Sequence, residues 1–293
     1  MNRRTLLNTA FTGVLGASAS GLAVAAESQS SPSPASPPGG KTVDCNVSLF
    51  HWPFRRLPYD DLTGLVDKLR SLQIGEAWAG SFEGVLHRDM DSANARLAAA
   101  CREHGQGLLR PFGSVNPALP DWEEDLRRCA EVHRMSGIRL QPNYHGYALD
   151  LPAFDRLLAL AGAAGLMVQL AASLEDTRTQ HPLMQVADVD LKPLPALMQK
   201  HPRTRLMLLN HRPTAATAAL AKAPNISFDI ARTEGTDGVA RLVMMAGADR
   251  VTFGSHAPFL IPEAALIRLE EAGLSESEAR AVLHENAARC LAA

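Results

Sequence analysis

The chain has 293 residues with 46% hydrophobic and 20% charged content, enough to bury the core of one large domain or two small ones. Its 29 Lys and Arg against 31 Asp and Glu include no basic block, which speaks against nucleic acid as a partner. The four cysteines, Cys45, Cys101, Cys129 and Cys290, form no Cys-x-x-Cys pair and no zinc-knuckle spacing, so they read as packing residues with disulfides left open.

Arg3 and Arg4 open a cationic segment that runs into a mildly apolar stretch rich in Ala, Gly, Ser and Thr, ending at Ala23-Val24-Ala25-Ala26. Residues 1–26 resemble a bacterial twin-arginine signal peptide with a small-residue cleavage site. Asn8, Thr12, Ser18 and Ser20 make the stretch too polar for a membrane helix, so no span is expected in the mature protein. Cleavage would remove Arg3 and Arg4 and move the net charge from −2 to about −4. The twin-arginine export machinery is then an expected partner, and a periplasmic or secreted location follows. Residues 27–41 form a Ser/Pro/Gly-rich linker with nothing to bury. Its Gly39-Gly40-Lys41-Thr42 imitates a phosphate-binding loop, but Ala35 stands where the first glycine is needed and a strand follows instead of preceding.

From Thr42 onward short apolar runs alternate with helical stretches. The expected strands are Val43–Leu49, Glu76–Gly80, Leu108–Val115, Gly137–Gln141, Leu166–Ala171, Arg205–Leu209, Ile226–Asp229 and Arg250–Gly254. Between them apolar residues recur at helical spacing, as in Leu62, Leu65, Val66 and Leu69. Asp121 with Glu124 and Ser275 with Glu278 read as capping boxes. Eight strands alternating with helices over about 250 residues predict a single-domain α/β fold, a closed (β/α)8 TIM barrel over residues 42–293. No GxGxxG follows the first strand, which weakens an open dinucleotide-binding sheet. A last helix from Glu276 to about Leu291 is expected on the barrel exterior. Its His284-Glu285 is only half of a zinc-protease motif, because Ala288 occupies the second histidine position.

Alternate strand residues face a barrel interior, which is normally branched aliphatic. Here the inward positions collect polar groups: Asn46 and Ser48 on the first strand, Arg139 and Gln141 on the fourth, and Gln169 on the fifth. The sixth ends at Asn210-His211, the seventh at Asp229 and the eighth at His256. Buried polar groups must be paired or bound to something, so a ring of them near the strand ends predicts a binding site. The loops beyond add His51 with Trp52, as an aromatic lid or a loop staple, then His145, and Glu175, Asp176 and His181 in the longest loop. Arg232 and Glu234 follow the seventh strand. Arg139 demands a partner, either Asp229 or an anionic group of a substrate. Asp229 could equally pair with Arg232, and His256 could be a core histidine bonded to a backbone carbonyl.

The segment Arg250 to Pro258, RVTFGSHAP, resembles the FGSDxP segment of amidohydrolase-related proteins. VDCNVSL, GIRLQPNY, PRTRLMLLNHRP and the terminal HENAARCL resemble other segments of that family in the right order, over nearly all of residues 42–293. The resemblance implies a barrel enzyme, typically metal-dependent, that hydrolyses C–N or C–O bonds or, in some branches, decarboxylates. The family's metal ligands correspond here to Asn46, Ser48, a position near Gln169 or Ala171, Asn210 (or His211 after a one-residue shift) and His256. Neutral hydrogen-bonding side chains are poor metal ligands, so no metal is expected in the family's usual position. A displaced zinc site from His51, His145, His181 and Asp229 stays open as an alternative. The expected activity is hydrolysis of a small polar or carboxylate-bearing molecule. In it His256, Asp229 and Arg139 are catalytic: His256 activates water, Asp229 orients it, and Arg139 with Asn46, Asn210 or Gln169 steadies oxyanion charge. Asn46, Ser48, His51, Gln141, His145, Gln169, Glu175 and Asn210 are the expected substrate contacts. The alternatives are a lyase or decarboxylase on the same barrel, or a non-catalytic periplasmic binding protein.

Overall fold

A computed structural model of the chain describes residues 41–292. The expected signal peptide, and all of the linker but Lys41, lie outside the described residues. Eight strands appear: β1 (Thr42–Leu49), β2 (Ile74–Ser81), β3 (Leu109–Ser114), β4 (Gly137–Leu140), β5 (Met167–Ala171), β6 (Leu206–Leu209), β7 (Ile226–Asp229) and β8 (Val251–Thr252). Each pairs in parallel with the next in sequence order. The ring closes where the backbone beyond β8 meets β1, with Cys45 N donating to Phe253 O at 2.9 Å and Ser48 N to Ala257 O at 2.8 Å. All eight strands thus fall where period and punctuation place them, and the architecture is the (β/α)8 barrel.

The period-two alternation sorts the two faces. Ile138 and Leu140, Val168 and Leu170, Leu206 and Leu208, and Ile226 and Phe228 join the apolar layer beneath the helices. Residues between them, such as Arg139, Gln169, Met207 and Asp229, turn inward and meet across the barrel. On β1 a register irregularity between Asp44 and Val47 lets consecutive residues serve the interior. Cys45 joins the inner cluster of Trp78, Phe112, Met167, Met207 and Leu209, while Asn46 bonds to Asp229.

Three local expectations resolve differently. The Ser275–Glu278 capping box forms, with Ser275 N donating to Glu278 Oε2 at 2.9 Å and Glu278 N to Ser275 Oγ at 3.3 Å. The Asp121–Glu124 box does not. Asp121 adopts a left-handed φ of 59° instead of the extended backbone a capping side chain needs, and Glu124 pairs with Arg127. The segment Glu276–Leu291 is helical throughout, with a π-helical turn at Ala281–Glu285. Only its first half lies on the exterior, where Val282 O accepts from Phe253 N. The last turns close the barrel floor: Ala287, Cys290 and Leu291 pack on the inner cluster, and Arg205, just before β6, donates to Cys290 O. A stacked Trp78–Phe112 pair, 5.0 Å between centroids, fills the space above that floor. All four cysteines are free thiols. Among the described residues no helix is long and apolar enough to cross a membrane.

Candidate functional site

Arg139 projects from β4 into the middle of the barrel and is 2% exposed. Nε donates to Gln169 Oε1 at 2.8 Å, Nη1 to Val47 O at 2.7 Å and Ser48 Oγ at 3.4 Å, and Nη2 to Trp78 O at 2.9 Å and Cys45 O at 3.5 Å. A guanidinium has five N–H donors, and all five are used. The expected carboxylate partner is therefore replaced by backbone carbonyls, a hydroxyl and an amide. Burial still draws the Arg139 pKa down to about 10. Gly80 makes room for this side chain, since a Cβ there would stand 2.7 Å from Arg139 Cδ and 2.8 Å from Nη1. Gly80→Ala is expected to destabilise the barrel by ~1–3 kcal/mol, read as a lower denaturation midpoint.

Above Arg139 lies a closed polar network. Asn46 Nδ2 donates to Asp229 Oδ2 and to Asn210 Oδ1, both at 2.7 Å, and Asn210 N donates to Asp229 Oδ1 at 2.9 Å. Asn210 reaches this geometry through a left-handed φ of 55°, which asparagine tolerates better than most residues. The adjacent His211 turns outward and packs on Phe228 at 5.3 Å, so Asn210 is the β6 residue that serves the interior. Asp44 sits nearby, its Oδ1 accepting from Asn46 N and Ser255 N at 3.0 Å each. Burial dominates both acids. It raises Asp229 to about 7 and Asp44 to about 6 despite the hydrogen bonds that favour their charged forms.

His256 follows β8 at a left-handed φ of 59° and is 1% exposed. Its Nε2 lies 2.8 Å from Leu174 O, which can only accept, so Nε2 carries the proton and Nδ1 keeps a lone pair with no partner. Burial, followed by the charges of Arg232 and Arg139, draws its pKa down to about 3 and keeps the imidazole neutral. The ring stacks on Phe259 at 5.0 Å, and Phe259 packs against Trp52 at 5.2 Å and Phe82 at 5.0 Å. Trp52 also meets Phe54 and Tyr144, making an apolar roof over the ends of β1, β2, β4 and β8. Trp52 is the residue read from sequence as a lid or a loop staple; Phe82 and Phe259 join its cluster only through folding.

The remaining expected contacts divide. Ser48 and Gln169 belong to the Arg139 network. Gln141 is buried at the end of β4, with Oε1 unpartnered. His145 is held by Gly84 O at 2.9 Å through Nε2. Glu175 is buried and paired with Arg55, whose guanidinium lies 5.4 Å above Phe259, so it anchors the roof. His51 faces solvent with its side chain 62% exposed, 3.5 Å from Asp60. His181 stacks on Phe54 in an exposed loop. The Asp229 carboxylate bonds to Asn46 and Asn210, and not to the Arg139 or Arg232 guanidinium that sequence offered as partners. Sequence reasoning passes over Ser173, whose Oγ bridges Arg232 and Asn210, and over Ser255 and Leu174, which act through backbone atoms.

A family model described as amidohydrolase matches residues 43–292. No curated protein matches the chain by sequence. Among solved structures it is similar to a Staphylococcus aureus protein assigned as an amidohydrolase, with a TM-score of 0.66 at 11% identity over 86% of this chain and 99% of that one. It is also similar to 5-carboxyvanillate decarboxylase from Sphingomonas paucimobilis, with a TM-score of 0.68 at 13% identity over 86% and 98%. A dihydroxybenzoic acid decarboxylase from a Polaromonas species, with bound manganese and the inhibitor 2-nitroresorcinol, gives 0.64 at 13% identity over 86% and 97%. At such identities these likenesses concern the fold.

The manganese in that neighbour raises the question of whether this barrel could hold a divalent ion. Hard cations need converging lone pairs, chiefly from carboxylates and imidazoles. Here Asp229 faces two N–H donors, Asp44 Oδ1 faces two more, and the space between strands holds the guanidinium of Arg139. Among the described residues no three His, Cys, Asp or Glu side chains converge, and His51, His145, His181 and Asp229 lie apart in different settings. The residues present do not fit a metal at this position.

Proposed function

The chain belongs to the amidohydrolase family, and from that premise we propose that it is a lyase removing CO2 from a small aromatic carboxylic acid, with Asp229 as proton donor. The observation that carries this reading is the placement of Asp229: fully buried, with one carboxylate oxygen accepting from Asn46 Nδ2 and the other from Asn210 N, in surroundings whose burial favours its protonated form and raises its pKa to about 7. A general acid works best with a pKa near the operating pH, and Asp229 has one. The C–C bond to the carboxylate breaks, the electron pair stays on the ring carbon, and CO2 leaves. Asp229 delivers its proton to that carbon and recovers one from solvent. Trp52, Phe54, Phe82, Tyr144 and Phe259 pack on one another as an apolar layer over the strand ends, which would hold bulk water away from the carbanion. Two of the structural neighbours are, by name, decarboxylases of aromatic acids.

Hydrolysis driven by His256 is the second reading, favoured by the unpartnered Nδ1. Against it, an imidazole held at about 3 is a weak base at neutral pH, and the roof limits water. The test is to incubate the purified protein with hydroxylated benzoates, and in parallel with amides and lactones, following CO2 and product by chromatography. CO2 release that survives chelator treatment supports the lyase. Cleavage of amides or lactones that is lost in H256A establishes the second reading, and silence throughout returns the protein to a binding role.

A further inference from the structure

Arg232, three residues beyond β7, has no part in the chemistry above. Its side chain is 5% exposed, yet among the described residues only Nη1 makes a hydrogen bond, to Ser173 Oγ at 3.0 Å. Asp176 Oδ2 and Glu234 Oε1 each approach it to 3.9 Å, close enough for a long ion pair but too far to accept a hydrogen bond. Asp176 is engaged elsewhere, by Arg178 at 2.8 Å and Arg212 at 3.3 Å. The contrast with Arg139 is direct: one buried guanidinium has all its donors in hydrogen bonds, while the other, with acids only at ion-pair distance, makes one among the described residues. A mostly buried planar fork whose remaining N–H groups still reach the surface suits a carboxylate, which accepts two parallel hydrogen bonds. Its place is also defined. Ser173 Oγ, which accepts from Arg232, donates to Asn210 O at 3.0 Å, and Asn210 N donates to Asp229, so a short hydrogen-bond chain links Arg232 to the proposed acid.

We propose that Arg232 is the anion-recognition residue of this site and holds a carboxylate of the ligand. The assignment deepens the lyase reading and rests on it in one respect: which carboxylate is held. A guanidinium clamped on the departing group would stabilise the ground state more than the transition state and oppose CO2 loss. Arg232 therefore holds a second carboxylate, and the ligand class is a small aromatic dicarboxylic acid.

The test is calorimetric titration of isophthalate and of its neutral diamide into the full-length wild-type protein, R232M and R232K at low salt. Wild type is expected to bind isophthalate at least about tenfold more tightly than R232M, since a hydrogen-bonded charge pair is worth that much. R232K should fall between, keeping the charge without the fork, and the diamide should bind all three alike. Denaturation midpoints of the unliganded variants confirm that they are folded. Equal isophthalate affinity in wild type and R232M, or no binding to wild type at millimolar ligand, overturns the assignment. Arg232-dependent binding without CO2 release would sustain it while removing the lyase reading.

Discussion

Asp229→Asn is expected to lower turnover ~10²–10⁴-fold while the barrel persists, because the amide fills the same volume but carries no transferable acid proton. In wild type the acid form falls away as pH rises through about 7, so turnover should decline above neutrality and be highest on the acidic side. In D2O the product should carry deuterium at the carbon that lost CO2, and D229N should slow that step. Stability responds with an independent sign. The folded carboxyl is raised above its ordinary 3.8, so ionisation opposes folding: the penalty is absent below about 4, grows as pH rises to about 7, and is constant beyond. Its size is on the order of 4 kcal/mol as an upper bound. Asn cannot accept on both sides, and one of its N–H groups must face either Asn46 Nδ2 or Asn210 N. D229N should therefore be less stable than wild type at pH 4 and close that gap by pH 8. Denaturation midpoints that stay parallel across that range would show that Asp229 is not raised, and the proton-donor role would go with it.

Strand positions and facing were legible in the sequence because both follow from a two-residue period that needs no partner to be named. Asn46, Arg139, Gln169, Asn210 and Asp229 do meet inside one barrel. What each one bonds was not legible. Arg139 selects backbone carbonyls of Val47 and Trp78, and a carbonyl has no residue signature. His256 is likewise fixed by Leu174 O, the plainer of its two expected readings. The choice between Asn210 and His211 turned on one left-handed residue, which period counting cannot see. The last helix misled for a similar reason: an amphipathic pattern specifies a buried face, and either the barrel wall or its floor can cover it.

Arg139→Met is expected to lower stability by ~3–5 kcal/mol, which for a domain of this size displaces the thermal midpoint by roughly 10 °C. Two effects oppose each other. Removing a fully buried cation relieves its desolvation, the same burial that draws its pKa down to about 10. Against that, Gln169 Oε1 loses its guanidinium donor, the carbonyls of Val47 and Trp78 each lose one, and methionine cannot replace any of them. The second effect prevails because these acceptors lie on β1, β2 and β5, so Arg139 on β4 ties four strands together inside the barrel. Arg139→Lys should recover little, since an ammonium has three donors for sites spread around a planar fork. The variant also affects the acids. The charge of Arg139 favours ionised Asp229, so without it the Asp229 pKa should rise further, and the alkaline decline in turnover should move to higher pH in whatever folded protein remains. A Met variant within about 0.5 kcal/mol of wild type but inactive would assign Arg139 to the reaction instead of the framework.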